Sequence, residues 1–252
     1  MLGLNLSAEF FTLFLVLSRV GAMFMSLPGI GETSVPARYR LVLAALVTLL
    51  IAPTVKISTA SLPENPWGLL ALMVSENIIG LFLGMVIRLT MFVLAVVGDV
   101  MAMTTAMAFA RTSNPLMSQG GSIAGVILST IGLLMIFALN LHHLFFDALI
   151  SSYTLFPVGT WLMIADSAEM ILRMVSEGFA LGIQLGAPFL GLSLIINISL
   201  GVIGRVMPQF QVFFISVPAA IMLGMAVLAG SLGVIMEIWA TRVAETTQYF
   251  IR

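Results

Sequence analysis

Gly201-Val-Ile-Gly204-Arg205-Val-Met-Pro208-Gln209-Phe-Gln211-Val-Phe213-Phe-Ile-Ser-Val-Pro218 separates two long apolar stretches. Gly178–Gly204 carries no formal charge, and neither does Val212–Met236. Each is long enough to cross a bilayer, which takes about 20 residues. Between them stand one arginine, one proline and two amides. Pro208 removes a backbone donor and breaks helical hydrogen bonding, and Gly201 and Gly204 loosen the turn before it. Bare backbone in hydrocarbon is costly, so the break belongs at a membrane surface or under protein cover. Arg205 can satisfy carbonyls that Pro208 frees, and Gln209 offers both donor and acceptor. The motif Arg205, Pro208, Gln209 and Phe213 therefore reads as a structural hinge between two membrane segments.

The rest of the chain is of the same kind. Of 252 residues, 60% are hydrophobic and 8% charged, with a mean hydropathy of +1.16. A soluble domain carries about a quarter charged residues. The composition thus specifies an integral membrane protein. The fold class expected is all-α: one polytopic helical membrane domain over residues 1–252, with kinked, hairpin-like helices and about six to seven hydrophobic segments. The formal net charge of −1 gives no basic surface for nucleic acid. Cysteine is absent, which excludes disulfides and thiolate metal sites. Met1–Glu9 lacks a basic region, so the first apolar run is expected to be retained as a span.

In chain order, Phe10–Leu27 is the first span and carries Arg19, which must reach an interface, a carboxylate or carbonyls. Pro28–Arg40 is a loop rich in glycine and proline. Leu41–Val55 is short for a full crossing. Trp67–Ala110 is long and lacks an obvious turn; a hairpin bent near Arg88 is one way to fold it. Gly80 and Gly84 suit close helix contact. Arg111–Gly121 is a break. Ser122–Phe146 reads as a span ending in Asn140, His142 and His143, with Ser151–Ser167 as a loop. In the next span Gly178, Gly182 and Gly186 recur every four residues, a close-packing stripe, and Pro188 should kink the helix. Arg173 and Glu177 can pair across one turn. The final span ends near Glu237, leaving Trp239–Arg252 as a short polar tail.

No catalytic set is evident. His142, His143 and Asp147 form the one metal-like cluster, but adjacent histidines point to different helix faces and a third strong ligand is missing. No metal site and no cofactor are expected. A second class is open: Glu76, Arg88 and Asp99 interrupt apolar sequence and could line the polar path of a secondary transporter or small-solute channel, which use broken helices. A third signal is methionine, 18 in all. Met103, Met107, Phe109 and Met117 are bulky and apolar, while Asn114-Pro115 and Gly120-Gly121 prevent one continuous helix. Ala106–Ser122 is either a surface turn or an apolar plug that gates a pore by excluding water.

Arg205-Val-Met-Pro208-Gln209-Phe-Gln-Val-Phe213, followed by Pro218 and a glycine-containing span, resembles the C-terminal signature of the FliR family. Pro28-Gly-Ile-Gly31-Glu-Thr-Ser-Val-Pro36-Ala-Arg38-Tyr-Arg40 and Asn140-Leu-His142-His143 agree with it, in the same order. The resemblance covers nearly the whole chain. It implies a subunit of the flagellar type III protein export gate in the bacterial inner membrane at the flagellar basal body. It implies FliP and FliQ homologues as gate-core partners, FlhB and FlhA homologues as further partners, unfolded flagellar subunits as cargo, and membrane lipid around the helices. It places the pore-closing loop at Ala106–Ser122 and gives His142 and His143 a role in structure or assembly. Gln211 stands where the family commonly has asparagine, and Asn114 where it commonly has aspartate; the second change removes a charge from the plug.

Overall fold

A computed structural model describes residues 6–32, 34–55, 65–105, 121–161, 163–207 and 212–251. Among these residues there is no strand, and seven helices follow one another. They are α1 (Leu6–Ser26), α2 (Ala37–Ile51), α3 (Pro66–Thr104), α4 (Ile123–Ala138), α5 (Leu141–Leu155), α6 (Ile164–Val206) and α7 (Val212–Gln248). The chain is an all-α membrane protein. Pro66–Thr104, Ala165–Val206 and Ser216–Gln248 are long and apolar enough to cross a bilayer, and α4 with α5 makes a fourth candidate as one broken span.

Three boundaries differ from the sequence expectation. Trp67–Ala110 holds no hairpin near Arg88: α3 is a single helix of 39 residues, roughly 58 Å long at 1.5 Å per residue. No proline interrupts its ladder after Pro66 at its first residue, and Arg88 lies exposed on its surface. The span expected over Ser122–Phe146 instead breaks at Leu139-Asn140. Asn140 has φ 56 and ψ 22, the left-handed region that asparagine tolerates better than most residues. His142 and His143 consequently begin a helix rather than end one, and α5 continues to Leu155 into the expected loop. Lastly, α7 runs on to Gln248, and Trp239, Val243 and Phe250 are buried; that segment is no polar tail. Pro188 and Pro218 lie inside α6 and α7 without ending them.

The chain divides into two compact units. The first comprises Met1–Leu89, Asn140–Met174 and Val243–Arg252. In α1 the buried residues Leu15, Val16, Val20, Met23 and Phe24 recur at helical spacing and form one face. Gly80 and Gly84 of α3 lie against that helix: a Cβ on Gly84 would stand 2.6 Å from the Met23 carbonyl, and one on Gly80 would overlap the Arg19 carbonyl. Such close approach places the two backbones near contact. Ser18 donates from Oγ to the Met73 carbonyl at 3.2 Å. α2 packs on α1 through Ala44, Thr48 and Ile51. Its 15 residues reach roughly 22 Å, short of the ~30 Å hydrocarbon core. Phe82 meets the edges of Phe156 and Phe250, at 6.5 and 6.2 Å between centroids.

The second unit comprises Thr90–Leu139 and Val175–Arg242. Its centre is a set of glycine contacts. Gly98 of α3 faces the Gly125 backbone of α4, and Gly132 faces Leu94 and the Trp239 ring. Gly178, Gly182 and Gly186 of α6 take Val93, Val96 and Val100 of α3 in turn. The Trp239 indole N–H donates to the Thr90 carbonyl at 2.8 Å, and Arg242 donates to the Glu177 carboxylate. By contrast, α6 beyond Leu190 is widely exposed: Leu194, Ile195, Ile198, Val202 and Val206 all face outward. A helix apolar on several faces is one that lipid or protein covers.

The glycine stripe gives a direct test. A Cβ on Gly182 would lie 2.6 Å from Val96, whereas one on Gly191 of the same helix meets nothing within 4 Å. Gly182→Leu is expected to lose about 1–3 kcal/mol by overpacking, and Gly191→Leu close to none. Unfolding of the two variants in detergent would check this; equal stability would show that α6 does not rest on α3 at this point.

Candidate functional site

Two polar arrangements stand out in an apolar chain, one in each unit. In the first unit Arg19 and Glu76 have fully buried side chains, with Nε 2.7 Å from the carboxylate. Arg19 Nη1 donates to Ser152 Oγ at 3.1 Å and Nη2 to the Phe156 carbonyl at 2.9 Å. Its guanidinium carbon lies 4.0 Å from the Tyr153 ring centroid, within cation–π range. Ser152 Oγ itself donates to the Leu149 carbonyl at 2.6 Å, which orients its lone pairs toward Arg19. One arginine thereby joins α1, α3, α5 and the residue after α5. Its charge meets the Glu76 carboxylate, and each of its three nitrogens donates once, so the cluster fastens these elements together; Glu76 Oε1 is buried with no hydrogen-bond partner among the described residues.

The three charges weighed as a polar path have different settings. Glu76 is committed to Arg19, and Arg88 is exposed. Asp99, in the second unit, does something different.

Asp99 belongs to the second arrangement, at the two ends of 106–120. Before it, Thr105 is fully buried; its Oγ donates to the Met101 carbonyl at 2.7 Å, and its methyl lies where a Cβ on Gly224 would be. After it, Gly121 has φ 83, a conformation that suits glycine. Ser122 donates its N–H to Asp99 Oδ1 at 3.3 Å and accepts the Gly125 N–H on Oγ at 3.0 Å, capping α4. Both flanks of this stretch are thus anchored in one unit. Met103 sits just before, 75% exposed. Met107, Phe109, Asn114, Pro115 and Met117 lie outside the described residues.

Of the hinge motif, Arg205 is exposed in the last turn of α6, where a cation complements the helix dipole. It makes no hydrogen bond among the described residues, so the carbonyl capping expected of it is not seen there. Pro208 and Gln209 lie outside the described residues; Phe213 is in the first turn of α7. His142 and His143 have ring centroids 4.3 Å apart, with His143 and Asp147 exposed. Among the described residues no group of three or more metal-binding side chains occurs.

Residues 10–246 match the family described as bacterial export proteins, family 1. The chain belongs to that family. Among its relatives in this export family, a flagellar biosynthetic protein FliR of Caulobacter vibrioides is 40% identical over 94% of both chains. The flagellar biosynthetic protein FliR of Escherichia coli is 26% identical over 84% of this chain and 81% of its own. That of Aquifex aeolicus is 26% identical over 92% and 90%. The match runs through both polar arrangements, from Arg19 to Arg242.

Sequence reasoning noted Arg19 and Glu76 separately and did not join them. The signal was available: they are the two opposite charges inside the apolar segments before Arg88. The Asp99–Ser122 clamp and the buried Trp239 were missed, because neither bond is local in sequence.

Proposed function

We propose that the chain is a subunit of the flagellar type III export gate, helping to form the gated channel through which unfolded flagellar subunits cross the inner membrane. The observation that carries this is the alignment with a flagellar biosynthetic protein FliR at 40% identity over 94% of both chains. FliP and FliQ homologues are the proposed core partners, with FlhB and FlhA homologues beside them. The exposed apolar sides of α6 support a protein that works among other helices. Gly178, Gly182, Gly186, His142 and His143 are proposed to serve packing and assembly, and Arg205, Pro208, Gln209 and Phe213 to turn the chain between α6 and α7. The stretch Ala106–Ser122 is proposed as the plug; its anchored flanks, Thr105 and Ser122, suit a segment held at both ends.

The experiment is genetic deletion in the native host with complementation in trans. Loss of swimming and of filament protein in the medium, both restored by the intact gene, is expected. Undiminished export in the deletion strain would overturn the proposal. A second arm complements with a chain lacking 114–119. An assembled complex that conducts ions is expected of a plug, and an assembled, leak-tight one would mark a surface turn.

A further inference from the structure

In the first unit one face of α3 is packed and the opposite face is free. Ile79, Leu83, Val86 and Ile87 are buried, whereas Trp67, Leu70, Val74, Ile78, Leu81 and Met85 are between 41% and 76% exposed. Asn77 and Arg88 are exposed with them. The outer positions pair at a spacing of eleven: Trp67 with Ile78, Leu70 with Leu81, Val74 with Met85, and Asn77 with Arg88. Eleven residues make three turns at about 3.67 residues each, so each pair lies on one nearly straight line along the helix. Each set of three apolar side chains is followed on this face by one polar side chain, first an amide and then a guanidinium.

The two polar groups differ in what they already bind. Asn77 donates one N–H to the Met73 carbonyl of its own helix at 3.0 Å. Arg88 makes no hydrogen bond or ion pair among the described residues. Large apolar side chains in a continuous row disfavour water as their cover. A guanidinium with exposed Met85 one turn before it and exposed Phe92 one turn after it disfavours hydrocarbon, where a charge is costly. This face also holds no acid, since Glu76 is turned inward to Arg19. A second copy laid against it would therefore leave Arg88 unmatched.

We infer that the outer face of α3 receives one helix of a different protein, apolar over two eleven-residue repeats and bearing an aspartate or glutamate opposite Arg88. Arginine and carboxylate make paired charge-assisted hydrogen bonds. A single polar position in an apolar helix seam fixes register and orientation, which gives Arg88 its role. The eleven-residue spacing sets the two helices nearly straight, without the left-handed supercoil of a seven-residue pattern. The inference rests on the chain working in a complex, as proposed above, and not on what that complex exports.

The test places a photo-crosslinking residue at Val74 or at Met85 of the full chain in the native host, with captured peptides sequenced by mass spectrometry. Both positions are expected to capture one segment of one partner, at residues about eleven apart, with an acid within a turn of the residue caught from Met85. Arg88→Glu should lower recovery of the complex about tenfold or more, and exchanging the partner's acid for lysine should restore it. Thermal unfolding of the isolated Arg88→Glu chain in detergent should match wild type. Capture of lipid, of this chain's own residues or of two unrelated segments would overturn the inference. So would a complex that tolerates Arg88→Glu, or an isolated variant that has lost stability. Crosslinks that land as expected while the deletion strain exports normally would keep the partner and remove the export reading.

Discussion

Arg19→Ala is expected to destabilise the chain by about 3–5 kcal/mol, the range for removing one partner of a buried ion pair. The variant leaves the Glu76 carboxylate buried without its cation, and it strips donors from Ser152 Oγ and the Phe156 carbonyl. Unfolding of the full chain in detergent, followed by thermal or denaturant titration, would measure the loss. A variant within about 1 kcal/mol of wild type would mean that solvent reaches Glu76 or that the charge is neutralised some other way. The double variant Arg19→Met with Glu76→Leu sharpens the test. Replacing both charges by apolar groups is often neutral or stabilising, so it should recover most of what the single variant loses. If the double variant is as unstable as the single one, the hydrogen bonds to α5 matter more than the ion pair.

Trp239→Ala is the second large loss expected, about 3–5 kcal/mol from transfer and cavity effects together. The indole is fully buried, and its ring fills the space above Gly132. Trp239→Phe separates volume from hydrogen bonding. It keeps most of the ring but removes the donor to the Thr90 carbonyl, with an expected loss of about 1–3 kcal/mol. The same titration checks both. Trp239→Ala at wild-type stability would show that α7 does not depend on this contact with α3 and α4. Gly132→Leu should behave like a filled version of the same cavity, since the added side chain competes with Leu94 and the indole for one space.

The helical class and most apolar segments were legible because hydrocarbon-length runs without charge permit little else. The glycine positions were legible too: Gly80 and Gly84 sit where two backbones nearly touch, as small-residue spacing implies. Helix ends were harder. In Trp67–Ala110 a length beyond one bilayer crossing suggested a hairpin, yet helix length is limited by breaks in hydrogen bonding, and α3 has its one proline, Pro66, at its first residue, where no helical bond is lost. At Leu139-Asn140 the reverse holds. The break rests on one asparagine in a left-handed conformation, which asparagine tolerates but does not require, so apolar periodicity runs straight across it. Trp239 was read as the start of a polar tail because polar side chains follow it. Its burial depends on Gly132, more than a hundred positions earlier. The candidate site shows the same limit: Asp99 was visible as a charge, while its bond to the Ser122 amide needed α4 to be placed.

The Arg19 cluster also sets a timetable for synthesis. Glu76 follows Arg19 by 57 positions and the Phe156 carbonyl by 137. At roughly 5–20 residues per second, the first helix leaves the ribosome about 3–11 s before its counter-charge and about 7–27 s before its last acceptor. For that interval Arg19 stands in α1 without the carboxylate and the carbonyl that later hold it. The final setting of α1 is therefore complete only after α3 and α5 have been made, although α1 is translated first.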